Sequence, residues 1–181
     1  MRLTEPRVSP LDIAEMDEEQ RYLLDRASFD DPININKTLV RHKKLLKRWL
    51  VFAAHVLNKS TLPARERELV ILRVGWLCRA EYEWAQHVVI GRAAGLTDEE
   101  IERIKEGPDA PGWSRLDQTL LRATDELHDD AFITDETWNE LKKTYDDNQI
   151  MDLIFAVGNY HIVSMALNSL GVQIDPGLKG F

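Results

Sequence analysis

The sequence has little cysteine, few long apolar runs and no excess of basic charge, and each shortage excludes a class of protein. One cysteine, Cys78, occurs among 181 residues. That count excludes an intramolecular disulfide and a structural zinc site built from cysteines. No uninterrupted apolar run approaches the roughly 18–20 residues of a membrane span. Acidic residues outnumber basic ones by 31 to 23, for a formal charge of −8. This balance argues against general binding of nucleic acid.

What remains is the composition of an ordinary globular domain. Hydrophobic residues make up 44% of the chain and charged residues 30%, a mixture that can fill a core of this length. The first twenty residues lack the apolar stretch of a secretory signal. We therefore expect one domain over residues 1–181, located in the cytoplasm and without a membrane partner.

Apolar residues recur at helical spacing in nearly every segment, and alternating strand patterns are absent. The expected fold is all-α, with about seven helices. Residues 1–33 are interpreted as an extended arm followed by short helices. A long helix is expected after Asp30-Asp31-Pro32. Further on, Pro63 opens a helix that is apolar on all sides from Leu69 onward, the pattern of a buried helix.

Charged residues in this buried helix are candidates for function, because a buried charge is costly unless it is paired. Glu68 stands at the start of its apolar part, where it could equally be a solvated residue that complements the helix dipole. Arg73 interrupts the run LVILRVGWLC and needs a counter-charge. A structural ion pair and an anion-binding role both remain open for Arg73.

The next helix carries Glu83 and His87 four residues apart, so both side chains share one face. A carboxylate in this position can orient an imidazole and raise its pKa, as a general acid or base requires. The pair could also be a surface ion pair. A metal would need a third ligand that the spacing does not supply, so no metal site is expected. Tyr82 and Trp84 flank the pair and could form a pocket wall or part of the core.

The sequence also contains a histidine and a cysteine in apolar surroundings. His161 shares a stripe of apolar residues on the last helix and is expected to be buried, as a hydrogen-bonded core residue or as part of a site. Cys78 lies in an apolar run and is interpreted as an inert, buried residue.

Residues 62–94 resemble the carboxymuconolactone decarboxylase family, which includes alkyl hydroperoxidase D. The resemblance rests on the pattern ELVILRV…EYEW…H, from Glu68 to His87. Peroxidatic members have a glutamate, a CxxC motif ending fifteen residues later, and a histidine four residues beyond. Glu68 and His87 match the first and last of these positions. The two thiol positions fall on Ala80 and Glu83, so the redox pair is missing and the chain resembles the decarboxylase-like branch.

The resemblance implies an alkyl hydroperoxidase D-like helical bundle that assembles as a homo-oligomer, most often a trimer or hexamer. It also implies a cofactor-free lyase that acts on a small carboxylated lactone or related intermediate of aromatic catabolism. His87 would be the general acid/base, with Glu68 and Glu83 as its catalytic partners. Substrate binding would then involve four side chains: Arg73, Tyr82, Trp84 and His161.

Two other functions remain open. One is a non-enzymatic oligomer of the same fold that binds a ligand or acts as a scaffold. The other is a thiol-dependent peroxidase or disulfide reductase, which the missing CxxC pair disfavours.

Overall fold

The computed structural model describes residues 1–27 and 32–181, and all regular structure within these ranges is helical. Two short 3₁₀ helices cover Ile13–Glu15 and Val40–His42. The α-helices are α1 (Glu18–Asp25), α2 (Asn34–Leu39), α3 (Lys43–Asn58), α4 (Ala64–Leu77), α5 (Glu81–Ala93), α6 (Asp98–Ile104), α7 (Arg115–Asp130), α8 (Asp135–Leu141) and α9 (Asp147–Leu170).

The all-α prediction is confirmed, but the described ranges contain nine α-helices instead of about seven. The long helix expected after Asp30-Asp31-Pro32 is divided into α2 and α3 by the 3₁₀ turn Val40–His42. His42 leaves helical geometry there, and its Nδ1 accepts a hydrogen bond from Leu45 N at 3.3 Å. This interaction satisfies an amide at the start of α3 that has no partner within the helix. Asp30 and Asp31, expected just before the long helix, lie outside the described residues.

Helix α4 is the centre of the core. It packs against α5, α6, α7 and α9, and every residue from Glu68 to Gly75 is buried. Burying each leucine, isoleucine or valine in that stretch contributes roughly 1.5–3 kcal/mol. The apolar pattern of α4 therefore predicts its position correctly.

Helix α9 forms the second central element. A capping box between Asp146 and Gln149 starts it, and Gly171 ends it with a positive φ of 71°. By length and composition alone, α9 could cross a membrane, with a mean hydropathy of 1.5 over its most apolar 18 residues. Half of that window is buried inside the protein, as in the core helix of a globular domain.

Candidate functional site

Glu68, Glu83 and His87 meet where α4 packs against α5. Nδ1 of His87 lies 2.6 Å from Oε2 of Glu68, and its Nε2 lies 2.9 Å from Oε1 of Glu83. Arg67 donates from Nε to the other oxygen of Glu68 at 3.1 Å. All three site residues are at most 6% exposed. The structure thus brings together the two glutamates and the histidine that the sequence singles out.

The two carboxylates determine the charge of His87. Burial alone would lower the pKa of His87, but Glu68 and Glu83 outweigh it and raise this pKa to about 10. Burial of Glu68 acts against its ionisation, yet His87 and Arg67 keep the pKa of Glu68 below its usual value. At neutral pH the site therefore holds an imidazolium beside an ionised Glu68.

Glu83 and His87 form part of the wall of a cavity of about 90 Å³. Most of the lining is aliphatic or aromatic, including Ile35, Trp49, Leu50, Ala53, Leu57, Ile90, Tyr160 and Val163. The Tyr160 ring packs edge-on against His87, with ring centroids 4.9 Å apart. A mostly apolar cavity with a few polar groups is the usual form of a small-molecule site.

Two buried polar atoms in this lining have no hydrogen-bond partner. One is Oε1 of Glu83, whose 2.9 Å approach to His87 is an ion-pair contact without hydrogen-bond alignment. The other is Nδ2 of Asn36. Asn159, in the same lining, accepts a hydrogen bond from Trp49 Nε1 at 3.2 Å. Because buried polar groups are nearly always paired, the unpaired donor of Asn36 in this cavity indicates a binding site for a polar ligand group.

Residues 43–126 match the family model described as the carboxymuconolactone decarboxylase family. That range contains Glu68, Glu83 and His87, the cluster just described. Over that range the chain is similar to the carboxymuconolactone decarboxylase family. A comparison with curated proteins finds no significant match.

Several solved structures share the fold of this chain. A peroxidase-related protein with an alkylhydroperoxidase AhpD core, from Ralstonia eutropha JMP134, superposes with a TM-score of 0.81 at 13% identity, covering 94% of this chain and 93% of that one. A peroxidase-related protein from Silicibacter sp. TM1040 gives 0.80 at 15% identity, covering 96% of both chains. The debrominase Bmp8, in complex with 2,3,4-tribromopyrrole, gives 0.73 at 12% identity, covering 96% of this chain and 94% of that one. The alkyl hydroperoxidase D-like bundle is therefore confirmed.

At the second thiol position of the peroxidatic pattern given above, the site has a carboxylate in place of sulfur. Ala80, at the first thiol position, is fully buried just before α5. Glu83, at the second, contacts His87 through an oxygen. The single thiol, Cys78, does not line the cavity, and its Sγ lies 4.0 Å from Nδ1 of His128.

Tyr82 lines the cavity, as expected for a substrate-binding residue. Its hydroxyl donates to Asp175 at 2.6 Å and accepts from the backbone N–H of Ile35 at 3.2 Å. Gln86 donates to the same carboxylate at 2.7 Å. Burial, reinforced by Asp175, raises the pKa of Tyr82, so the phenol stays protonated. These bonds join α5 to α2 and to the C-terminal segment and hold one wall of the cavity.

The substrate-binding role expected for Arg73 does not agree with its position. Arg73 donates to both oxygens of Asp125, at 2.7 and 2.9 Å, and to the backbone carbonyl of Ile104 at 2.7 Å. It does not line the cavity. Gly107, with a φ of +97°, packs against the guanidinium: a Cβ there would lie 2.8 Å from Nη2. Arg73 is therefore the structural ion pair that the sequence left open as the alternative.

Trp84 and His161 also lie away from the cavity lining. Trp84 packs between Trp76 and Phe181, with ring centroids 6.0 and 5.7 Å away, and belongs to the core. His161 is half-buried, and its Nε2 lies 2.7 Å from Nδ1 of His128. The expectation that both residues shape the substrate pocket is corrected accordingly.

Sequence reasoning missed several residues around the cavity. Asn36, Trp49 and Arg26 line it, yet no spacing connects them to the α5 motif because they come from other helices. Asn159 interrupts an apolar stretch of the sequence, and this interruption could have marked it as a candidate site residue. Arg67 stands beside Glu68 in sequence, but its contact with that carboxylate depends on the rotamers of both side chains.

Proposed function

We propose that the protein is a lyase of the carboxymuconolactone decarboxylase type, in which His87 transfers a proton to a small ring-derived acid as it loses CO₂. The observation that carries this proposal is the charged imidazole of His87, held between two buried carboxylates in the wall of a largely apolar cavity. A positioned acid of this kind contributes typically 10²–10⁴-fold to a proton-transfer step.

The two ring nitrogens of His87 have different tasks. Nδ1 is engaged by Glu68 at 2.6 Å, which fixes the orientation of the ring. Nε2 is on the side of Glu83, the carboxylate that also lines the cavity. In the reaction, the bond between the ring carbon and the carboxylate breaks, and CO₂ leaves. The electron pair passes into the conjugated lactone, and the Nε2 proton moves to the resulting enolate. Solvent then returns a proton to His87.

Groups in the lining provide for a polar, anionic substrate. Arg26 and His87 are the cationic side chains among the described residues that line the cavity. Arg26 is exposed and is suited to hold a carboxylate near the surface. Nδ2 of Asn36 is a free donor in the lining. The aliphatic walls favour a compact ring over an extended, charged substrate.

The test is a proton-NMR time course in deuterated solvent with γ-carboxymuconolactone and related lactone acids. Wild type should form product that carries one solvent deuteron at the protonated carbon. His87→Ala should lower turnover by about 10²-fold or more, and Glu83→Gln should also lower it. His55→Gln is the matched control, because this exposed histidine pairs with Asp152 outside the cavity lining and should leave turnover unchanged.

Measuring the substrate affinity of each variant, as well as its turnover, separates an effect on catalysis from an effect on binding. A loss of less than about threefold in a folded His87→Ala protein would contradict the role of His87. Because that change leaves buried carboxylates without a partner, His87→Gln provides a second, less disruptive variant. Ligand binding without turnover in wild type would instead favour the binding or scaffolding function.

We also propose a homo-oligomer, as the superfamily resemblance implies. One face of α9 exposes Met151, Phe155, Ile162 and Met165, each at least 50% accessible. A second copy of the chain would remove these side chains from water. Light scattering should give a mass of several chains for wild type and a smaller mass for Ile162→Glu. A monomeric wild type would contradict the proposal.

A further inference from the structure

Cys78, His128 and His161 bring a thiol and two imidazoles together from three helices that pack against one another. Cys78 follows the last residue of α4, His128 lies in the last turn of α7, and His161 lies in the middle of α9. Nδ1 of His128 is 2.7 Å from Nε2 of His161 and 4.0 Å from Sγ of Cys78. All three donor atoms lie within 4.8 Å of one another. None of these residues lines the cavity beside His87.

The hydrogen bonds leave one lone pair directed into this cluster, on Nε2 of His161, and Nδ1 of His128 donates to it. For Nδ1 of His128 to bind a metal, its proton moves to Nε2, which lies 3.9 Å from Asp129. Nδ1 of His161 lies 2.8 Å from the carbonyl oxygen of Val157, so Nδ1 carries a proton and neutral His161 keeps its lone pair on Nε2. Metal-binding histidines usually donate their second N–H to a carbonyl or carboxylate in this way.

We propose that Cys78, His128 and His161 form a mononuclear site for a transition-metal dication of the Zn²⁺ type. The ligand atoms are Sγ of Cys78, Nδ1 of His128 and Nε2 of His161. One thiolate and two imidazoles suit zinc and its neighbours in the first transition row, and are unsuited to magnesium or calcium.

The distances need little adjustment to hold such an ion. With Zn–N bonds of about 2.05 Å and a Zn–S bond of about 2.3 Å, tetrahedral geometry requires separations of about 3.3 Å between the nitrogens and about 3.6 Å between nitrogen and sulfur. The nitrogens, now 2.7 Å apart, would separate by about 0.6 Å. The sulfur, now 4.0 Å from His128, would approach by about 0.4 Å. Side-chain rotations can provide both movements.

The surroundings also support a bound cation. Oγ of Ser164 is fully buried and lies beside Cys78. Metal binding would replace the thiol proton of Cys78 and release it to solvent. The His128 side chain is 26% exposed, which leaves room for water as a fourth ligand.

Cobalt titration of chelator-treated protein, kept reduced by a phosphine, tests the site directly. Because Cys78 is the only cysteine in the chain, a thiolate-to-cobalt charge-transfer band can report no other residue. We expect this band to saturate at one Co²⁺ per chain, with the intense visible bands of tetrahedral coordination. Zinc should displace cobalt and raise the melting temperature.

Single substitutions identify the ligands. Cys78→Ala should abolish the charge-transfer band. His128→Gln and His161→Gln should each weaken zinc binding at least tenfold, in competition with a chromophoric chelator. His55→Gln should bind as wild type does. The absence of the band from wild type, or unchanged zinc affinity in both histidine variants, would overturn the proposal. The histidines would then form a simple hydrogen-bonded pair.

Discussion

Stability should fall steeply between neutral and alkaline pH because of His87. Its pKa is raised to about 10 in the folded protein, compared with about 6.5 in an unfolded chain. Folding is therefore favoured most at pH values below about 6.5, where both states hold the proton. Between the two pKa values the folded state keeps a proton that the unfolded state has lost. This contribution is lost as the pH rises towards 10.

The size of the effect follows from proton linkage. Within that range, the free energy of unfolding changes by about −1.4 kcal/mol per pH unit for each proton that the folded state alone retains. From pH 7 to pH 9, His87 should cost wild type about 2.5 kcal/mol. The double variant Glu68→Gln/Glu83→Gln removes the carboxylates that raise this pKa, and burial alone lowers it. The contribution of His87 should then be nearly constant above about pH 7.

Urea unfolding followed by circular dichroism at several pH values measures both slopes. Protein concentration is held fixed, because self-association would shift the apparent stability. Burial raises the pKa of the Cys78 thiol and Glu83 adds to this effect, so both proteins carry Cys78→Ala and the thiol contributes to neither slope. His55→Gln should keep the slope of wild type. Parallel curves for wild type and the double variant, within about 0.5 kcal/mol, would refute the assignment of the high pKa to these carboxylates.

Two further predictions concern the Arg73 ion pair. Arg73→Met should lower the free energy of unfolding by about 3 kcal/mol, because it leaves Asp125 without its partner. It should leave ligand affinity at the cavity unchanged. A tenfold loss of affinity in a folded variant would contradict the structural role of Arg73. Gly107→Ala should lower the free energy of unfolding by roughly 1–3 kcal/mol, which is more than the loss expected for Gly95→Ala. Both glycines have a positive φ, but only Gly107 approaches Arg73. Equal losses in urea unfolding would show that the contact does not matter.

The helices could largely be predicted because their signals are local. Thr97 and Glu100 form a capping box at the start of α6, and Gly171 ends α9 in the left-handed conformation that glycine favours. The break before α3 was missed because it depends on the conformation of His42 and on its side-chain contact with Leu45. No pattern of apolar residues encodes that contact.

The site could be predicted as far as contacts within one helix or a family pattern allow. Glu83 and His87 are four residues apart, so their proximity follows from helix geometry. Glu68 required the family resemblance, because it reaches His87 from another helix. The partner of Arg73 is 52 residues away in sequence, and nothing local distinguishes Asp125 from other acidic residues. Long-range pairing of this kind is determined by how the helices pack, which sequence periodicity does not specify.

Charge balance at the site bears on what kind of substrate it can take. Glu68 and Glu83 face two cations, His87 and Arg67, so the buried cluster is close to neutral before a ligand arrives. A substrate carboxylate would add an uncompensated negative charge beside apolar walls, unless it stays near the exposed Arg26. In the decarboxylation proposed above, loss of CO₂ would disperse that charge over a larger conjugated system. Proton donation by His87 would then transfer the negative charge to the carboxylate cluster until solvent reprotonates the imidazole. Such a site would oppose the compact anion more than the delocalised one, and this difference would favour decarboxylation over simple retention of the acid.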